Sequence, residues 1–153
     1  MKRKNEYKVE WLRRYKNSKY TLKEIEADME EFALSFTLPK SQEISDMPKG
    51  AGSNGGLEEK MVILEQHQEK LSKQLDVCYQ IRKEIKDAIE AISGVDSAKY
   101  RLLLTLKYIN DLEWEDVAIR MSYSVDHCKG KLHGYALEAI EIPKENTQEH
   151  FCM

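Results

Sequence analysis

The sequence predicts an all-α protein: an N-terminal coiled-coil-like helical hairpin followed by a C-terminal three-helix helix-turn-helix domain. Three observations carry that prediction. Apolar residues recur in steps of three and four through two long segments. Between those segments, Leu38 to Gly56 holds two of the three prolines and four of the seven glycines, the composition of a linker. After the second segment the chain reads as three short helices, the last two joined by a tight turn.

Residues 1–36 form the first helical part. Trp11, Tyr15, Leu22, Ile25, Met29, Phe32 and Phe36 trace a heptad seam, with Ser18 in its one polar slot. Thr21 to Glu24, "TLKE", has the form of a capping box and predicts a second helix start inside the segment; Asn17–Tyr20 reads equally as helix or break. The segment opens basic and turns acidic. Residues 1–23 contain nine Lys/Arg against two Glu, and residues 24–36 contain five acids and no base. Such a basic block meets phosphates, an acidic protein, an acidic helix of its own chain, or only solvent.

Residues 37–56 are the linker. They contain Gly50-Ala-Gly52-Ser-Asn-Gly55, which formally matches GxGxxG, but no strand precedes it and no βαβ pattern surrounds it. The chain also lacks a P-loop. From 57 to 92 the series Leu57, Met61, Leu64, Gln68, Leu71, Leu75, Cys78, Arg82, Ile85, Ile89, Ile92 keeps its 4-3 rhythm without Gly or Pro. At about 1.5 Å per residue this predicts a helix on the order of 50 Å long. Its stripe must be covered, either by the first helix folded back antiparallel or by a second copy, so a homodimer through the heptad helices is also expected. Gln68 and Arg82 stand where polar residues set register. Gly94 ends the helix.

Residues 97–142 hold the three short helices, and residues 143–153 a flexible tail. Ser97 is placed to cap the first, which carries Leu103, Leu104, Tyr108 and Ile109 and stops at "NDL". The second runs from Trp114 to Met121, with Val117, Ala118 and Met121 facing in. The third starts at the N-cap Ser124 and runs towards Ile142, with Pro143 beyond. Ala118 is the small residue that a close helix crossing needs. Tyr123 is expected to anchor the turn, and Cys128, Leu132, Tyr135, Ala136 and Ile140 to continue the buried stripe. Ser122 stands in the turn, where glycine adopts unusual backbone angles more easily.

The segment "LLLTLKYINDLEWEDVAIRMSYSVDHCKGKLHGYALEAI" resembles the region-4-type helix-turn-helix of bacterial sigma factors. With Asp46–Gly50, "DMPKG", it is more closely similar to a family of small phage and prophage transcriptional regulators of Gram-positive bacteria. The layout covers most of the chain, and the specific motifs lie in residues 44–50 and 101–137. The resemblance implies double-stranded DNA as partner, transcriptional control, and a recognition helix from Ser124 to about Leu137. It places Ser124, Val125, Asp126, His127, Lys129, Gly130, Lys131 and His133 on or beside the DNA-facing surface. Cys128 stands where the family usually has Val or Ile, and Glu113 where Ser or Thr is common.

The chemistry of those residues fits in part. Lys129 and Lys131 can contact phosphates, and His127 a base edge or phosphate. Asp126 repels phosphate but sits in a first helical turn, where the dipole favours an anion. Gly130 and Gly134, one turn apart, bare backbone at about 1 kcal/mol each relative to alanine. Residues 97–142 carry six Lys/Arg against seven Asp/Glu, poor for autonomous DNA binding. Affinity is therefore expected to need the basic N-terminus, a dimer or polymerase.

Other functions find less support. Three scattered cysteines without CxxC point to a reduced, cytoplasmic protein. No apolar stretch follows the basic start, so no signal peptide is read, and the longest apolar runs are too short for a membrane span. Cys128, His127, His133, His150 and Cys152 match no zinc spacing, no nucleophile pair is oriented, and neither a cofactor nor an enzyme activity is expected. Two rival readings are a phage terminase small subunit that recognises packaging DNA, and a polymerase- or sigma-binding module without DNA affinity of its own.

Overall fold

The computed structural model describes residues 4–37 and 50–143, and every regular element among them is helical. The centre of the linker, the "DMPKG" motif up to Lys49, the tail, His150 and Cys152 lie outside the described residues. Two long helices come first: α1, Glu6–Thr37, and α2, Gly50–Glu90. Four short ones follow: α3, Ser97–Leu104; α4, Trp114–Met121; α5, Val125–His127; and α6, His133–Ala139. A π-helical turn, Thr105–Ile109, prolongs α3, and another, Cys128–Leu132, joins α5 to α6.

The chain forms two compact units: residues 1–17 with 79–153, and residues 18–78. In the first, Leu12 of α1 and Ile85 and Ile89 of α2 share a core with Leu103, Leu104, Val117, Cys128 and Ile140. The apolar stripes expected on α3 and α4 are the buried ones, Leu103, Leu104, Tyr108 and Ile109, then Val117, Ala118 and Met121. Arg14 pairs with Glu84 at 2.9 Å on the surface, a bond worth under about 1 kcal/mol. Burial of these apolar side chains, at about 1.5–3 kcal/mol each, dominates.

In the second unit α1 and α2 run in opposite senses. Gln74 Nε2 donates to the carbonyl of the buried Ser18 (3.0 Å), while farther out the Phe32 ring meets His67 edge-on, 5.5 Å between centres. A helical hairpin accounts for both segments. Its seam on α2 differs from the expected one. Leu64, Leu71, Cys78, Ile85, Ile89 and Ile92 are wholly or partly buried as expected, but His67, Gln74, Ile81 and Ala88 join them, while Leu57, Met61, Gln68 and Leu75 are exposed. Pairing with α1 selects the face on which Gln74 meets a backbone carbonyl. The polar residue that marks the seam is thus Gln74, not Gln68.

Several boundaries also move. α2 starts at Gly50 rather than Leu57, since nothing between Pro48 and Glu90 forbids helix and glycine lowers propensity without blocking it. α1 passes through Thr21 unbroken, so the capping-box pattern marks no helix start. Asp96, in left-handed conformation (φ 64°), precedes α3 without a side-chain cap, and Ser97 is already helical. The last helix stops at Ala139, with Ile140 extended, short of Ile142. Lys8 accounts for that stop: its Nζ donates to the carbonyls of Leu137 (2.7 Å) and Ile140 (2.8 Å), satisfying the helix end as a cation there does. Burial pushes the Lys8 pKa down.

Candidate nucleic-acid interface

α4 and α5 are joined by Ser122 to Ser124. Ser122 takes the left-handed conformation (φ 63°, ψ 39°), which reverses the chain after α4. The amides of Ser122 and Tyr123 then close back on the carbonyls of Ile119 (3.3 Å) and Ala118 (3.2 Å), satisfying the last turn. Ser124 is extended, and its Oγ accepts from the His127 amide at 3.1 Å, an N-cap that starts the next helix where the sequence predicts it. Cys128, fully buried behind that cap, fixes the helix against the core, and burial raises its thiol pKa.

From this geometry each predicted site residue has a place. Ser124 is exposed and serves as the cap; Val125 is half-buried against the core. Asp126 is exposed in the first turn, and Lys129, Gly130 and Lys131 are exposed beyond it. Neither lysine enters an ion pair among the described residues. A Cβ built on Gly130 or Gly134 meets nothing within 4 Å, so packing inside the chain does not require glycine at either position. His127 is half-exposed, its ring centre 4.9 Å from that of Tyr123.

His133 is the exception. Its Nε2 lies 2.6 Å from the Tyr108 hydroxyl, and its ring packs edge-on to Trp114 at 5.0 Å. It faces inward. Burial first, then the charges of Lys107 and Arg13, lower its pKa to about 4, so at neutral pH the ring is uncharged and shares one hydrogen bond with the Tyr108 hydroxyl. Burial raises the Tyr108 hydroxyl to about 12. The π turn explains the inward ring. One extra residue in a turn rotates everything after it by about 100° relative to an α-helix, turning His133 in and Tyr135 out. Tyr135, expected in the core, is accordingly exposed, and Leu137 is buried instead.

Compared with known protein families, characterised proteins and solved structures, the chain matches none.

Two residues at this surface escape a reading of the sequence. Tyr123, expected as the anchor of the turn, is exposed. Lys99 of α3 sets its Nζ 5.5 Å from the Tyr123 ring centre, and a hydrogen bond that the lysine donates to the tyrosine side chain holds the lysine pKa above its usual value. Lys99, Tyr123 and His127 therefore gather at the start of α5, with one cation contributed from 24 residues upstream. Only the fold brings Lys99 there. No group of three metal-ligating side chains occurs among the described residues. No described helix is long and apolar enough to cross a membrane.

Proposed function

We propose that this chain is a DNA-binding transcriptional regulator of phage or prophage type. Its helix-turn-helix is α4, the Ser122–Ser124 turn and the run from α5 to α6, and the third helix enters the major groove of double-stranded DNA. One observation carries the reading. The capped start of α5 leaves Asp126, Lys129, Gly130 and Lys131 exposed and His127 half-exposed on one short helical run, and neither lysine enters an ion pair among the described residues. Lys129, Lys131 and Lys99 would contact phosphates, and His127 a base edge. The open space at Gly130 and Gly134 would let DNA approach the backbone.

Charge supports the same face. The unit made of residues 1–17 and 79–153 has seventeen Lys/Arg against fifteen Asp/Glu, whereas residues 18–78 have seven against twelve. The unit that carries the proposed reader is the positive one, because the basic N-terminus belongs to it. RNA polymerase and a second copy of the chain are the further partners of this reading. The exposed Met61, Val62 and Leu75 of α2 favour the copy.

Selection of bound fragments from a random duplex library at two salt concentrations tests it. The expected result is an enriched motif that survives the higher salt and is lost when His127 and Lys129 are together changed to alanine. No enrichment at either salt overturns autonomous DNA recognition. Ile119, 76 % exposed on α4, favours a second reading as a polymerase- or sigma-binding module. Retrieval of polymerase without any DNA affinity would establish that one.

A further inference from the structure

Residues from three parts of the chain meet at a cleft of about 470 Å³, within the size range of ligand clefts in general. Trp11 of α1 forms one wall. Glu84, Asp87 and Ala88 form the next, sharing a face of α2 because they stand three and four residues apart. Glu141, Ile142 and Pro143 complete it, on the stretch that leaves α6 once Lys8 has satisfied the helix end. All of them belong to the first unit.

The lining leaves polar groups of both kinds unmatched. Trp11 is 7 % exposed, and its indole N–H is buried without an acceptor among the described residues. Such a donor is uncommon in a folded chain, and at a cleft wall it points to an acceptor supplied from outside. The carboxylates call for the opposite chemistry. Glu84 is already paired with Arg14, but Asp87 and Glu141 are exposed and enter no ion pair among the described residues. Lys8 is the cation that Glu141 acts on, yet its ammonium is turned to the carbonyls of Leu137 and Ile140. Ala88, Ile142 and Pro143 add apolar surface to the same lining.

We infer that this cleft docks an arginine-bearing segment of a protein partner. One arginine residue offers what the lining lacks: a peptide carbonyl to accept the Trp11 N–H, an aliphatic stem for the apolar walls, and a guanidinium for Asp87 and Glu141. Lysine carries the charge without the planar fork that matches carboxylates, so arginine is the better fit. Duplex DNA is not the occupant, because the two carboxylates repel its phosphates. The inference therefore goes beyond the DNA-reading proposal and assigns the molecule a protein-docking site.

The test follows the Trp11 indole N–H by NMR in the full isotope-labelled chain, its signal being the one lost in Trp11→Phe. The probes are a short peptide alternating arginine and leucine, and the same peptide with uncharged citrulline for arginine. The arginine peptide is expected to move the indole proton downfield as it gains an acceptor, and to bind about tenfold more tightly than the citrulline peptide. Asp87→Asn with Glu141→Gln, both at exposed positions, weakens the arginine peptide by a similar factor, and an unchanged thermal midpoint shows that the fold is intact. An indole signal unmoved up to about 1 mM peptide, or equal binding of the two peptides, overturns the inference. So does a signal that moves on diluting the free protein, which gives the cleft to a second copy. A signal that moves with Lys144→Gln overturns it too, giving the cleft to the chain's own residues beyond Pro143. No DNA enters the test, so its failure leaves the reading helix standing.

Discussion

Leu64 and Ile85 occupy equivalent places in the 4-3 repeat of α2, three heptads apart, yet Ile85 is wholly buried while Leu64 is only half-buried. The difference lies in how many partners each length of helix has. In the first unit α2 shares its core with α1 and with the short C-terminal helices, so Ile85, Ala88, Ile89 and Ile92 are all covered or nearly so. In the second unit α1 and α2 have only each other. Two helices in contact cover one narrow seam, and Met61, Val62 and Leu75 remain in solvent. A heptad pattern therefore fixes which side of a helix faces inward, and the number of neighbours fixes how much stability that side contributes.

The largest expected effect would break this comparison if it failed. Ile85→Ala removes three methyl-sized groups from a closed core and destabilises the first unit by about 3–4 kcal/mol. Leu64→Ala, at a site that water already reaches, costs about 1 kcal/mol. Hydrogen exchange resolved by residue reads both. The first substitution is expected to raise exchange throughout residues 79–140, and the second only within residues 18–78. Equal losses from the two would mean that α2 is one cooperative rod, with burial no guide to its stability.

The same contrast explains what was legible in the sequence. Element identity was open to reading, because α3 and α4 carry their apolar residues at helical spacing and Ser124 announces a helix start. The seam of α2 was half legible. Leu64, Leu71, Cys78 and Ile85 serve either face, and the choice between Leu75 and Gln74 depends on what α1 presents opposite. Ser124, Asp126, Lys129 and Lys131 are exposed, whereas His133 and Tyr135 exchange sides. A π turn leaves no mark in residue types, so its rotation could not be read. Lys99 was invisible at this surface because its place beside Tyr123 depends on a contact remote in sequence.

Acid sharpens the comparison, because it weakens the better-packed unit. The folded-state pKa of His133, about 4, lies below its ordinary value of 6.5, so between those values the unfolded chain binds a proton that the folded chain refuses. The stability this contributes is complete above pH 6.5 and is lost progressively as pH falls to 4, by about 3 kcal/mol. Thermal midpoints across pH 4–7 check it. His133→Gln is expected to flatten that slope. A slope that survives the substitution would assign the acid sensitivity to carboxylates.

The smallest effect concerns strain, which also sits in the first unit. Among the described residues every positive φ belongs to it: Gly94, Asp96, Asp111 and Ser122. Only Gly94 adopts that conformation without a steric cost, since a Cβ in the left-handed region crowds the following carbonyl. Ser122 is held there because the amides of Ser122 and Tyr123 must return to the end of α4 while Ser124 starts α5. Ser122→Gly relieves the Cβ contact but gives the unfolded chain more freedom, and the two oppose each other. The expected net is a stabilisation of about 0.5–1 kcal/mol, measured as a raised urea midpoint with unchanged slope. Ser122→Ala keeps the Cβ and gains nothing, so the pair of variants separates backbone relief from loss of the hydroxyl. If glycine and alanine both destabilised the protein, the hydroxyl of Ser122 would be holding the turn, and the reversal between α4 and α5 would depend on a side chain rather than on backbone conformation.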